Sequence, residues 1–148
     1  MSVELDLVVS YLGGKRAIGI KGPEVALTLH RAVEAGIPAQ CAFFFKQHAG
    51  FSNLLICQLL GVSEKTFTRW QANPKKPLDP VSSDRLVRTA KIMALAEQVL
   101  ESADNARQWM SEPQSALGNE IPQELLTTNV GAQQVEDLLL QMEHGYLA

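Results

Sequence analysis

Cysteine is scarce in this chain of 148 residues, and Cys41 and Cys57 have the spacing of neither a metal-ligand pair nor a disulfide framework. The three histidines, His30, His48 and His144, are scattered without a second ligand at metal spacing, so no metal is assigned. Long apolar runs are missing: Leu54-Leu55-Ile56-Cys57 falls far short of the roughly 18 residues that span a bilayer. The start, Met1-Ser2-Val3-Glu4, lacks the basic residues and apolar stretch of a signal peptide. These absences point to a reduced, cytoplasmic protein. Strand signals are nearly absent, as are internal repeats and low-complexity tracts. The sequence offers no Ser-His-Asp order and no pair of perturbed carboxylates. Gly13-Gly14-Lys15-Arg16 superficially suggests a phosphate loop, but the glycine spacing is incomplete and Arg16 stands where Ser or Thr is required. No catalytic residue and no cofactor is assigned, and the expectation is a protein that is not an enzyme.

What is present is enough apolar material for a real core, 46% hydrophobic against 20% charged. The length fits one large domain or two small ones sharing a core. The net charge of −3 hides an asymmetry: residues 1–76 carry nine Lys/Arg against five Asp/Glu, and residues 77–148 carry four against eleven. A basic half can meet phosphate, whereas an acidic half suits a protein partner better.

Along the chain, residues 3–12 are apolar and ambiguous between helix and strand, ending at Gly13-Gly14. From Pro23 the pattern is helical, with Val25, Leu29, Ala32 and Val33 on one face and Gly36 as a stop. A second helix is expected from Pro38 to about Gly50. A third covers residues 53–60 after Ser52 as cap, and Ser63 caps a fourth running from Glu64 to about Ala72. Asn73-Pro74-Lys75-Lys76-Pro77-Leu78-Asp79-Pro80, with its prolines, reads as a linker at the point where charge changes sign. Ser82 or Ser83 is expected to open a long helix to about Leu100, and Asp104 a short one through Trp109. A loop over residues 111–121 then leads to a short helix opened by Pro122 and broken by Gly131. A last helix runs from about Gln133 to His144, with Gly145 just past its end. The fold expected is all-α: a helical domain over 1–76 and a second small helical domain over 77–148.

Residues 53–72 have the pattern of a helix-turn-helix. Ile56, Leu60, Val62, Phe67 and Trp70 supply the apolar positions, Cys57 is the small residue where helices cross, and Gly61 occupies the turn. The second helix would read DNA, with Ser63, Lys65, Thr66, Thr68 and Arg69 offering donors to phosphates and base edges. Lys75 and Lys76 would add backbone electrostatics. The same residues also suit a solvated helix surface. One such unit makes few contacts, so a homodimer on paired half-sites is expected.

Outside this motif, Trp109 reads first as a packing residue and second as a partner contact. Phe43-Phe44-Phe45 cannot all face one side of a helix, so at least one is expected to be exposed or in an interface. Leu138, Leu139, Leu140 and Met142 are expected in the core or against a partner, while Glu136 and Asp137 suit a solvated face.

The second half carries a set of residues in a recognisable order: Ser83-Asp84-Arg85-Leu86, Ala106-Arg107-Gln108-Trp109-Met110, Pro113, Ala116-Leu117-Gly118, Ile121-Pro122-Gln123-Glu124-Leu125-Leu126, Gly131, Val135 and His144-Gly145. Over roughly residues 83–146 it resembles the Xre–MbcA–ParS toxin-binding domain, and with the preceding motif the whole chain resembles the Xre antitoxins of RES–Xre pairs. Asn119 departs from that pattern, which usually has a second Gly after Leu-Gly. The resemblance implies an antitoxin that covers the active-site cleft of a RES-domain, NAD-consuming toxin, or of a related ADP-ribosyl-transferring one, with its C-terminal region, in a complex able to repress its own operon. It implies toxin contacts by Trp109, Gly145, Tyr146, Leu147 and Ala148. The tail chemistry agrees with such a role, since Tyr and Leu offer apolar area and a terminal carboxylate could pair with an arginine.

Two other readings stay open at this level. One is a stand-alone helix-turn-helix transcription regulator whose acidic half dimerises or senses a ligand. The other is a small helical enzyme handling nucleotides.

Overall fold

The computed structural model describes residues 4–20 and 25–145. Pro23 and the side chain of Val25, which the sequence places at a helix start, lie outside the described residues, as do Tyr146, Leu147 and Ala148. The helices are α1 (Leu5–Tyr11), α2 (Lys15–Ile18), α3 (Val25–Ala35), α4 (Gln40–Ala49), α5 (Asn53–Leu60), α6 (Glu64–Trp70), α7 (Pro80–Leu100), α8 (Ala103–Ser111), α9 (Pro122–Leu125) and α10 (Asn129–Glu143), with a 3₁₀ turn over Ser115–Leu117. Among the described residues there is no strand beyond isolated bridges pairing Pro38 with Pro77 and Gln114 with Glu120.

The all-α expectation holds, and the ambiguous first segment is helix α1, whose buried Val8, Val9 and Tyr11 dock on the long α7. The Tyr11 hydroxyl donates to Glu97 Oε1 at 2.7 Å, fixing the two helices in register. α7 is the spine of the molecule and packs against α1, α3, α4, α5, α8 and α10. Leu86, Met93, Ala90 and Ala94 on it are sealed from solvent and belong to one continuous apolar cluster reaching from Val8 to Leu139. Each large side chain so buried contributes about 1.5–3 kcal/mol. The small Ala90 and Ala94 let neighbouring helices approach closely.

Several boundaries differ from those expected. α7 begins at Pro80, capped by the Asp79 carboxylate, which accepts the Ser82 amide at 2.8 Å. Pro suits the first helical position because its missing N–H has no intrahelical acceptor there, so the last proline of the apparent linker is helical. Ser82 and Ser83 are buried inside α7. Ser102, not Asp104, caps α8, accepting from the Asn105 amide at 3.0 Å. Gly131 does not break a helix: it sits in the first turn of α10, and its amide donates to the cap Thr128 at 3.0 Å.

The proline-rich stretch is bound down along its length. The Gln40 and Ala39 amides donate to the Pro74 and Lys76 carbonyls at 2.7 and 2.8 Å, the Leu78 amide donates to Ile37 at 2.9 Å, and Leu78 is buried.

Candidate functional site

The helix-turn-helix is built locally. Ser52 caps α5 by accepting the Leu55 amide at 3.1 Å, and Ser63 caps α6 by accepting the Thr66 amide at 3.1 Å. Between the two helices, residues 61–63 make the turn, with Gly61 in the left-handed region at φ 69°. Ile56, Cys57, Leu60, Phe67 and Trp70 are buried and Val62 is half-buried, as the motif predicts. Phe43 on α4 packs tilted against Phe67 at 4.5 Å between ring centroids, and Phe67 meets Trp70 edge to face at 5.7 Å. Of the three successive phenylalanines, Phe45 is buried, Phe43 serves this contact, and Phe44 is 42% exposed.

The structure brings the expected DNA-facing residues onto the outer face of α6. Ser63, Lys65, Thr68 and Arg69 are exposed and Thr66 is half-buried. Three of them are linked along one side: Thr66 Oγ1 lies 3.1 Å from the Ser63 hydroxyl and accepts from Arg69 Nη2 at 3.4 Å. Ser63 is thus occupied by capping. Lys65, Thr68 and the remaining guanidinium donors of Arg69 are the groups open to an anion, and Arg can grip a guanine edge or a phosphate bidentately.

A second concave surface lies in the C-terminal half. Half-buried Trp109 on α8 lines a groove with Val99, Gln114, Leu138 and Met142. Next to it, Ala116, Leu117, Gln134, Asp137 and Gln141 extend the depression along α10. The rim loop is tied by hydrogen bonds: the Gln114 side chain donates to the Trp109 carbonyl at 3.0 Å, and its backbone amide donates to the Glu120 carbonyl at 3.0 Å. Gly118 and Asn119 both have φ 66°. Position 119 therefore demands a left-handed backbone, which explains a glycine preference there and why asparagine, the non-glycine residue that tolerates it best, replaces it. Gly145 follows the C-cap His144 with φ 76°, the expected post-helix role. Leu138 and Leu139 are buried, Leu140 and Met142 are partly so, Glu136 is half-buried and Asp137 exposed.

Sequence reasoning did not find the groove residues Val99 and Gln114 as companions of Trp109. Nothing in local spacing signals them, because three separate elements supply them. Burial pushes the Cys41 thiol up to about 12, and burial with nearby Glu64 raises that of Cys57, so neither is a poised nucleophile. Among the described residues no cluster of three or more His, Cys, Asp or Glu is gathered, and no helix is long and apolar enough to cross a membrane.

A capped, exposed second helix held across a short glycine turn, with a grooved helical unit sharing its core, defines a helix-turn-helix protein with an appended interaction unit. Comparison with known proteins names that unit. The family model for the antitoxin Xre-like helix-turn-helix domain matches residues 28–91, and that for the antitoxin Xre/MbcA/ParS C-terminal toxin-binding domain matches residues 95–145. In both matched segments the chain is similar to antitoxins of the Xre/MbcA/ParS type. It is 44% identical over 71 residues to an antitoxin Xre of Pseudomonas putida, covering 48% of this chain and 45% of that one. It is 32% identical over 91 residues to an antitoxin Xre of Yersinia enterocolitica, covering 61% of each. The chain thus spans about half to three-fifths of the length of these curated relatives. Its fold is similar to that of a chain in the crystal structure of the M. tuberculosis MbcT–MbcA toxin–antitoxin complex, with a TM-score of 0.55 at 23% identity, over 74% of this chain and 96% of that one.

Proposed function

We propose that this protein is a cytoplasmic antitoxin that neutralises a RES-domain, NAD-consuming toxin and binds operator DNA to repress its own operon. The observation that carries the proposal is the joining, on one core, of an antitoxin-type helix-turn-helix and a toxin-binding domain. The toxin is held by the surface around Trp109 and by Gly145, Tyr146, Leu147 and Ala148, which enter its cofactor cleft and deny access to NAD. The operator is read by Lys65, Thr68 and Arg69, with Ser63 and Thr66 shaping the helix start and adding hydroxyl contacts. A homodimer, or dimers joined through toxin, presents two reader helices about one helical turn of DNA apart, and linkage of the sites raises the affinity without new contacts.

The test has three parts. The chain is co-expressed with the product of the adjacent gene, the complex is purified, and NAD consumption is measured with and without it. Deletion of residues 146–148 is expected to leave a folded protein that no longer suppresses NAD loss; full suppression by the truncated form would remove the plug. Arg69→Ala is expected to weaken operator binding while toxin capture is retained, and equal loss of both would indicate misfolding instead.

A further inference from the structure

Over residues 7–20 and 35–78 the chain carries seven Lys/Arg (Lys15, Arg16, Lys46, Lys65, Arg69, Lys75 and Lys76) and a single acid, Glu64. Two of the basic pairs are about sixty residues apart in sequence, yet the fold brings their backbones to the same residue. Gln40, at the start of α4, donates its amide to the Pro74 carbonyl at 2.7 Å and its side-chain Nε2 to the Ala17 carbonyl at 3.1 Å. The neighbouring Ala39 amide holds the Lys76 carbonyl at 2.8 Å, and the Cys41 thiol also reaches the Ala17 carbonyl, at 3.5 Å. Arg16 and Lys75 are therefore each one residue away from a carbonyl that Gln40 holds. The 73–76 turn folds back on the end of α6 through Asn73 N–H to the Trp70 carbonyl at 3.1 Å, and Phe43 on Phe67 presses α4 against α6. Lys15, Arg16, Lys75 and Lys76 are all exposed and make no salt bridge with a described residue.

We infer that Lys15-Arg16 and Lys75-Lys76 form one phosphate-binding surface beside the reader helix, clamping the sugar–phosphate backbone of duplex DNA while α6 occupies the groove. Charge complementarity selects this occupant: four exposed cations that no described carboxylate pairs with, next to a helix whose exposed residues include Lys65 and Arg69. Contacts of this kind add affinity and salt dependence without sequence preference, because phosphates are the same at every base pair. The inference rests on the proposed DNA-reading role of α6.

The test measures binding of the full-length chain to a fluorescent duplex of its own upstream region, and to a scrambled duplex of equal length, across a salt series. Lys15→Gln with Arg16→Gln, and separately Lys75→Gln with Lys76→Gln, are compared with wild type and Arg69→Ala, after circular dichroism shows each to be folded. Each double variant is expected to lower the slope of log affinity against log salt by about two, roughly 0.9 for each phosphate no longer neutralised. Each should weaken both duplexes by the same factor, whereas Arg69→Ala narrows the difference between them. An unchanged slope in Lys15→Gln/Arg16→Gln, with Arg69→Ala still affecting discrimination, overturns this surface and leaves the reader helix standing. Loss of toxin capture with an unchanged slope also overturns it, assigning the patch to a protein partner. If wild type binds neither duplex, both this inference and the DNA-reading role of α6 fall.

Discussion

The hydroxyl of Ser83, on the buried side of α7, accepts the Ile37 amide at 2.9 Å across 46 residues of sequence and donates to the Leu78 carbonyl at 3.3 Å. This one side chain ties the α3–α4 corner and the proline-rich segment to the spine, with Ser83 and Ile37 fully buried. Ser83→Ala leaves the Ile37 amide unsatisfied in a dry site, and an orphaned buried group costs about 1–3 kcal/mol. The expected result is a melting temperature lower by roughly 4–8 °C, read by calorimetry; an unchanged transition would refute the role assigned to this bond.

Gly131 and Gly61 are expected to respond very differently to alanine. A Cβ at Gly131 would lie 2.1 Å from the Leu125 carbonyl oxygen, which is backbone and cannot step aside, so the corner between α9 and α10 must open. A Cβ at Gly61 would meet Arg85 Nη1 at 2.8 Å, the far end of a movable side chain, and the cost is chiefly the positive φ of 69°. Urea denaturation should give a loss above roughly 3 kcal/mol for Gly131→Ala and about 1 kcal/mol for Gly61→Ala. The reverse order would contradict the packing described.

Glu101 ends α7 in the left-handed region at φ 73°, where an exposed non-glycine residue carries strain. Glu101→Gly is expected to raise stability by about 0.5 kcal/mol, the relief of strain exceeding the added freedom of the unfolded chain. Glu101→Ala, which keeps a Cβ, should not reproduce the gain. Chemical denaturation of the three proteins side by side distinguishes these outcomes.

The Asp79 cap makes a pH prediction. Its carboxyl is held below the usual 3.8, first by the Ser82 amide it accepts and also by the Ser82 hydroxyl, against a smaller opposing effect of burial. A folded-state pKa below the unfolded one adds stability that is complete above 3.8 and disappears as pH falls through the lower folded value. Asp79→Asn keeps an N-cap acceptor but cannot titrate, while Asp79→Ala loses the cap at a cost of about 1 kcal/mol near neutrality. The stability gap between wild type and Asp79→Asn should be flat from about pH 5 to 8 and shrink below pH 4. A gap that widens on acidification would show that the carboxylate is not the stabilised form.

Much of the helix-turn-helix was legible because its signals are local. Ser52 and Ser63 each reach an amide three residues on, and Gly61 sits where the backbone turns left-handed, so cap and stop lie within a few residues of what they satisfy. The same locality misled at Pro80 and Gly131. A proline beside two others reads as linker, and a glycine after a short helix reads as a break, unless the cap or the packed backbone beside each is known. For Gly131 that neighbour is the Leu125 backbone, pressed so close that no side chain fits. Asn119 was visible as a departure in sequence, but its physical sense required the left-handed backbone found there.

The sequence by itself determined the helical class, the two-helix motif that carries Lys65, Thr68 and Arg69, and the order of residues that marks the C-terminal domain. Periodicity, caps and turn glycines act within a turn or two of the chain, and such information survives in one dimension. Only the tertiary structure decided that α7 serves both halves, that Trp109 shares a groove with Val99 and Leu138, and that Gln40 holds both the Ala17 and the Pro74 carbonyls. Those relationships come from burying apolar faces of segments far apart in the chain, a collective outcome that no short window of residues encodes.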